Sequence, residues 1–257
     1  MQIQRCGSLI ENTVTMAYRN LLKTFHNPDR FMDVVIQPVM FMLLFGYLFG
    51  GAIAGGVHAY LPTIVPGILI QTLLSAASGS GAQIREDMDS GVFDRFKSLP
   101  MDHIAPLAGQ LFADVLRLVV ATIVSLLTGY IMGWRPNVEV GWVLASAALA
   151  IFIGWSLSWV FAFFGLLAKS SSMVQSVSMM VMMILSFLSN AFIPLNTLPK
   201  VMHVLANLNP VTYVIKAIRQ MLTNGSLTNA VWIVLIFGMG IVIVFAPLTV
   251  WAYNHNN

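Results

Sequence analysis

Residues 62–102, PTIVPGILIQTLLSAASGSGAQIREDMDSGVFDRFKSLPMD, change character at their middle. The part from Pro62 to Ile84 holds no ionisable side chain. The part from Arg85 to Asp102 holds eight, in a chain that is only 9% charged. A helix needs about 20 mostly apolar residues to cross the hydrocarbon core of a bilayer. The first part therefore predicts a membrane span and the second a loop in water. Windows of the same kind centre on residues 34–54, 62–84, 106–133, 141–167, 172–193 and 230–253, which predicts an all-α integral membrane protein with six transmembrane helices.

Composition supports that class. The chain is 58% hydrophobic, with a mean hydropathy of +0.81, against about 45 to 50% apolar residues in a soluble globule. The formal charge of +3 is carried by scattered rather than clustered basic residues, which argues against a nucleic-acid partner. Cys6 is the only cysteine, so no intrachain disulfide is possible. The first 30 residues are polar and periodic, and no removable secretory signal is expected from them.

Lys and Arg set the expected orientation. Arg5, Arg19, Lys23, Arg30, Arg85, Arg95, Lys97 and Lys169 fall on one side of the spans, against Arg135, Lys200, Lys216 and Arg219 on the other. The positive-inside rule then places both termini in the cytoplasm, and the expected location is the plasma membrane. Trp134, Trp142, Trp251 and Tyr253 suit an interfacial aromatic belt. A single transmembrane domain covers 1–257, with a cytoplasmic interfacial helix in 1–33, a cytoplasmic loop in 85–105 and an extracellular region in 194–229.

In the interfacial helix, Ser8 and Glu11 fit a capping box, and Ile10, Val14, Ala17, Tyr18, Leu21 and Phe25 recur as an apolar face. It is either a plain anchor or an elbow moving with the first span. The outer region carries Pro194, Pro199 and Pro210 in an apolar stretch. It reads either as an extracellular loop or as a re-entrant pair of short helices in 194–222, the second capped by Asn209 and started by Pro210. Irregular backbone at membrane depth needs cover from protein or a watery cavity.

Chemistry is sparse. ATP binding of the P-loop kind needs a Gly-Lys pair, and the chain has none. His26, His58, His103, His203 and His255 never fall at the i, i+4 spacing of a helical metal site. The Ser78-Gly79-Ser80-Gly81 run lacks the histidine base that a serine nucleophile requires, since no predicted span contains one. Asp114 and Arg117 can pair on one face of the third span, for local neutralisation or for proton relay. Gly46 and Gly50 suit close helix packing or a dimer contact.

Two spans carry polar stripes. Gly67, Gln71, Ser75, Ser78 and Ala82 share one face of the second span, and Ser171, Gln175, Ser178, Met182, Ser186 and Ser189 one face of the fifth. Such faces avoid lipid. They either hydrogen-bond neighbouring helices or line a solute route, with Gln71, Ser75, Ser78, Gln175, Ser178, Met182, Ser186 and Ser189 as the candidate lining. Met173, Met179, Met180, Met182 and Met183 add a pliable surface or fill the core.

In the charged loop, Ile84 to Met88 extends the second span past the lipid and Gly91 permits a sharp turn. Val92, Phe93, Phe96 and Leu99 then give a short helix one apolar edge beside Asp94, Arg95 and Lys97, and Pro100 ends it. The mixture suits docking to a soluble partner, with Phe93 and Phe96 as anchors; a merely solvated loop is the alternative.

The run IREDMDSGVFDRFKSLPMDHIAPLAGQLFADVLR closely resembles the E-D-x-x-x-G-v-x-D-R-F-k-S-l-P region of export-type ABC transporter permeases, especially the daunorubicin-resistance membrane subunit group. FGLLAKSSSMVQSV and FLSNAFIPLNTLPKVMHVLANLNPVTYVIKAIRQML continue the resemblance. It implies that Glu86, Asp87, Gly91, Phe93, Asp94, Arg95, Phe96, Leu99 and Pro100 belong to a coupling helix on a separate ABC ATP-binding subunit. That subunit holds ATP and Mg, and this chain binds no cofactor and catalyses no reaction of its own. The resemblance also implies an N-terminal elbow, outer re-entrant helices, a second permease copy of the same or another sequence, and contact with membrane lipid. The expected cargo is an amphipathic or hydrophobic solute of drug or antibiotic type, or alternatively a lipid or lipid-linked glycan.

Overall fold

The computed structural model describes residues 9–26, 28–92, 105–192 and 200–255, and all regular structure among them is helical. In chain order the helices are α1 (Leu9–His26), α2 (Pro28–Ala54), α3 (Val57–Asp89), α4 (Ala105–Ile131), α5 (Val140–Leu167), α6 (Ser171–Phe187), α7 (Lys200–Leu208), α8 (Pro210–Asn224) and α9 (Asn229–His255). Val34–Ala54 of α2, and α3, α4, α5 and α9 in full, are long and apolar enough to cross a membrane. At 17 residues, α6 is a shorter apolar helix on the fifth predicted window.

The bundle is assembled around α3. Leu61, Ile64, Val65, Ile68 and Leu69 are fully buried, packed with Ala150 and Ile153 of α5 and Ile215 and Ile218 of α8 in the main core. A smaller cluster at the Asp89 end joins Ile84 to Leu107, Leu111, Ala162, Leu166, Ala252 and Tyr253. Helix α3 carries apolar residues around most of its circumference because most of it meets protein. Its closest neighbour is α5. A Cβ on Gly81 would overlap the Phe161 carbonyl, and one on Gly165 would overlap the Gly81 carbonyl, so both glycines are needed for this backbone approach.

The outside is equally apolar. Trp232, Ile236, Met239, Ile243 and Trp251 of α9 and Met40, Tyr47 and Leu48 of α2 are exposed. That exterior suits lipid, where a helix satisfies its own backbone amides and carbonyls. Hydroxyls follow the same logic: Thr72, Thr122, Thr128 and Ser156 each donate to the carbonyl four residues back.

On α1, Thr13, Met16 and Asn20 are buried while Val14 and Tyr18 of the apolar face are exposed, and Met16 and Ala17 sit against Gly109 of α4. An outward apolar face is what an interfacial helix presents to lipid. Two sequence expectations change. Trp134 and Tyr253 are buried rather than part of an outer belt. Helix α6 stops at Phe187, short of the predicted residue 193. Its last carbonyls are taken by side chains: Asn209 Nδ2 donates to Leu185 O at 2.8 Å and to Leu188 O at 2.9 Å, and Ser189 Oγ donates to Ser186 O at 2.6 Å.

Beyond α6, α7 and α8 form a pair of short helices. Asn209 caps α8 by accepting from Val211 N at 2.9 Å, Pro210 occupies the first turn, and Gly225 ends the helix in the left-handed region at φ 57°. That cap is the one the sequence indicates. Residues 194–199 lie outside the described residues.

Candidate functional site

Helices α2, α3, α4 and α6 enclose a half-open cleft of about 410 Å³. Ser75 and Ser78 of α3 line it with Gln175 and Met182 of α6, which brings parts of the two polar stripes together across the cleft. Ala82 of the α3 stripe lines it too, while four of the candidate lining residues lie elsewhere. Gln71, Ser186 and Ser189 are buried in the bundle, and Ser178, also buried, borders a separate apolar crevice between α5 and α6. Ser78 Oγ donates to Ser75 O in its own helix and Ser189 Oγ to Ser186 O, so neither hydroxyl donates to another helix.

Sequence periodicity overlooks several lining residues. Gln37, Thr72, Gly79, Gln83 and Arg117 also face the cleft. Gln83 is one position off the α3 stripe, Gln37 lies below the expected route on α2, and Arg117 is assigned by spacing only to its partner Asp114. That pair is present: Arg117 Nη2 lies 2.8 Å from Asp114 Oδ1, with both side chains almost wholly buried. The same nitrogen crosses to α3, donating to Ser80 Oγ at 3.0 Å and to Ala76 O. Only a two-helix structure shows this second use of the cation.

At the Asp89 end, α3 continues past the apolar window as the sequence indicates. Ser90 N donates to Glu86 O and Gly91 N to Met88 O, and Gly91 takes φ 67°, the turn for which glycine is suited. Glu86 is exposed and borders the cleft, while Asp87 is 5% exposed. Arg85 pairs with Asp89 at 2.7 Å across one helical turn. Phe93, Asp94, Arg95, Phe96, Leu99 and Pro100 lie outside the described residues.

The opposite end is closed by a polar cluster. Arg219 Nη2 of α8 donates to Thr63 O of α3 and to Asn190 O beyond α6, both at 3.0 Å, and Tyr60 OH donates to Phe192 O. Together with Asn209, these bonds tie α8 to the ends of α3 and α6. Among the described residues no group of three His, Cys, Asp or Glu could hold a metal.

A bundle of long apolar helices enclosing a polar cleft is the architecture of a multi-pass membrane permease. Residues 11–223 match the family model "ABC-2 type transporter", and the chain belongs to that family. It is 35% identical over 98% of its length, and 89% of the relative's, to the daunorubicin resistance ABC transporter permease protein DrrB1 of Streptomyces coeruleorubidus. It is 23% identical over 94% of its length, and 88% of the relative's, to the probable doxorubicin resistance ABC transporter permease protein DrrC of Mycobacterium tuberculosis. A putative transport permease, ycf38, of Porphyra purpurea is 24% identical over 84% of this chain and 75% of its own.

Proposed function

We propose that this chain is the membrane subunit of an ATP-driven exporter that moves amphipathic or hydrophobic, drug-like molecules out of the cell. The observation that carries the reading is the cleft, where polar residues of α3 and α6 face one another inside an otherwise apolar bundle. The daunorubicin and doxorubicin resistance named for two relatives supports a drug-like cargo, and nothing in those names favours a lipid-linked glycan. Both termini are cytoplasmic in this reading, and α6 is the fifth of six spans. Its 17 residues measure about 26 Å at about 1.5 Å per residue, at the short limit for a bilayer.

ATP and Mg are bound by a separate ATPase subunit, which docks on residues 85–100. Nucleotide-driven movement there is passed along the continuous α3 to the cleft, which opens alternately to each side. A second permease copy completes the path, α1 acts as the elbow, and α7 with α8 forms the outer re-entrant element. The double variant Arg95→Glu with Phe96→Ala is expected to insert normally but to lose most of the copurifying ATPase subunit. Full recovery of the complex with wild-type transport would overturn the coupling role.

A further inference from the structure

The cleft contains an arginine with an open edge. Arg117 spends one terminal nitrogen, Nη2, on Asp114, Ser80 and Ala76 O. The other, Nη1, has no hydrogen-bond partner among the described residues and is the side-chain atom nearest Gly79, 3.4 Å from where a Cβ would stand. Because residue 79 has no side chain, that edge of the guanidinium is left uncovered on the cleft wall. One turn along the same wall lies Gln83, 1% exposed, with both its amide oxygen and its amide nitrogen buried and unpartnered. A buried polar group left without a partner destabilises the fold, so two such atoms beside a cleft call for something to bind.

We infer that Arg117 and Gln83 recognise a hydrogen-bond-accepting oxygen, a carbonyl, ether or hydroxyl, on an amphipathic cargo that is not an anion. This rests on the exporter reading above. Anions are disfavoured by Asp114: its carboxylate is 2.8 Å from the guanidinium and already offsets its charge, so an incoming phosphate or carboxylate meets a like charge behind the donor, and Glu86 on the same cleft adds another. A neutral acceptor meets the N–H groups alone. Met179 and Met182 supply an adaptable apolar surface on the facing helix for the rest of the molecule. Sites built to hydrogen-bond a ligand discriminate strongly against the analogue lacking that group.

The test uses the complete permease and ATPase complex in lipid nanodiscs. The probes are the naphthyl ketone 6-propionyl-2-dimethylaminonaphthalene, its 6-propyl analogue without the carbonyl oxygen, and 1-naphthalenesulfonate as an anion. The readout is the half-saturating concentration for stimulation of ATP hydrolysis. Wild type is expected to favour the ketone over the propyl analogue by about tenfold, which corresponds to about 1.4 kcal/mol, and to respond least to the sulfonate. Gly79→Val covers the open edge, its Cβ standing 3.4 Å from Nη1 and 3.8 Å from Nη2 at ordinary contact distance, and Gln83→Leu removes the amide at similar size. Each is expected to cut the discrimination to about twofold. Gln83→Leu should keep or raise the thermal midpoint, because it removes an unpartnered buried amide, and this separates recognition from folding. Equal responses to ketone and propyl analogue in wild type, a preference for the sulfonate, or undiminished discrimination in Gln83→Leu would overturn the inference while leaving the exporter standing. No stimulation by any amphiphile would overturn both.

Discussion

Arg117, midway along α4, and Arg219 of α8 are two arginines of the same bundle, and they are held in opposite ways. Arg117 is neutralised by Asp114 on its own helix and reaches across to α3 beside an open cleft. Arg219 has no carboxylate within ion-pair distance among the described residues; it bonds backbone carbonyls of two other segments and closes the end where it sits. A guanidinium on carbonyls serves as a clasp, since each carbonyl oxygen carries partial negative charge and accepts a charge-assisted hydrogen bond. A guanidinium beside a carboxylate keeps spare donors at low net charge. The same side chain thus fastens one end and leaves chemistry available midway along the bundle.

Substitutions ranked by the charge they strand test that distinction. Asp114→Ala leaves Arg117 buried without its carboxylate and should destabilise the fold by about 3 to 5 kcal/mol, the usual result of breaking a buried pair from one side. A large drop in the thermal midpoint of the detergent-purified protein is the measurement. Arg219→Met removes the cation itself and strands only two carbonyls, for about 2 to 3 kcal/mol. If it proves as damaging as Asp114→Ala, the clasp is no different in kind from the pair. Arg85→Gln breaks the more exposed Arg85 to Asp89 contact and should stay within about 0.5 kcal/mol of wild type. A larger loss there would mean that the pair is shielded from water.

The long helices were legible because crossing a bilayer is a demand on length and hydropathy that each segment meets by itself. The window at 141–167 matches Val140–Leu167 almost to the residue, and the window at 34–54 ends with α2 at Ala54. The cap at Asn209 and the turn at Gly91 were legible for the same local reason. The end of α6 was not, because it is set by Asn209, a residue some twenty positions away that captures the Leu185 and Leu188 carbonyls. Periodicity placed Gln71 and Ser78 on one face of α3, yet it cannot say that Gln71 is covered by other helices while Ser78 borders space. Arg117 shows the limit most clearly. Its spacing from Asp114 announces one partner and is silent about Ser80 and Ala76, which come from another helix.

Helix α3 runs unbroken for 33 residues, about 50 Å at about 1.5 Å per residue, well beyond a hydrocarbon core of about 30 Å. Gripped by neighbours along most of that length, it behaves as a stiff spindle: a push at Asp89 reaches the far tip with little lost to bending. The exception is the stretch holding Pro62 and Pro66, where proline removes backbone hydrogen bonds from the ladder. Compliance is therefore concentrated within a turn or two of the Arg219 clasp, so that any flexing of the spindle happens beside the fastening that would have to release.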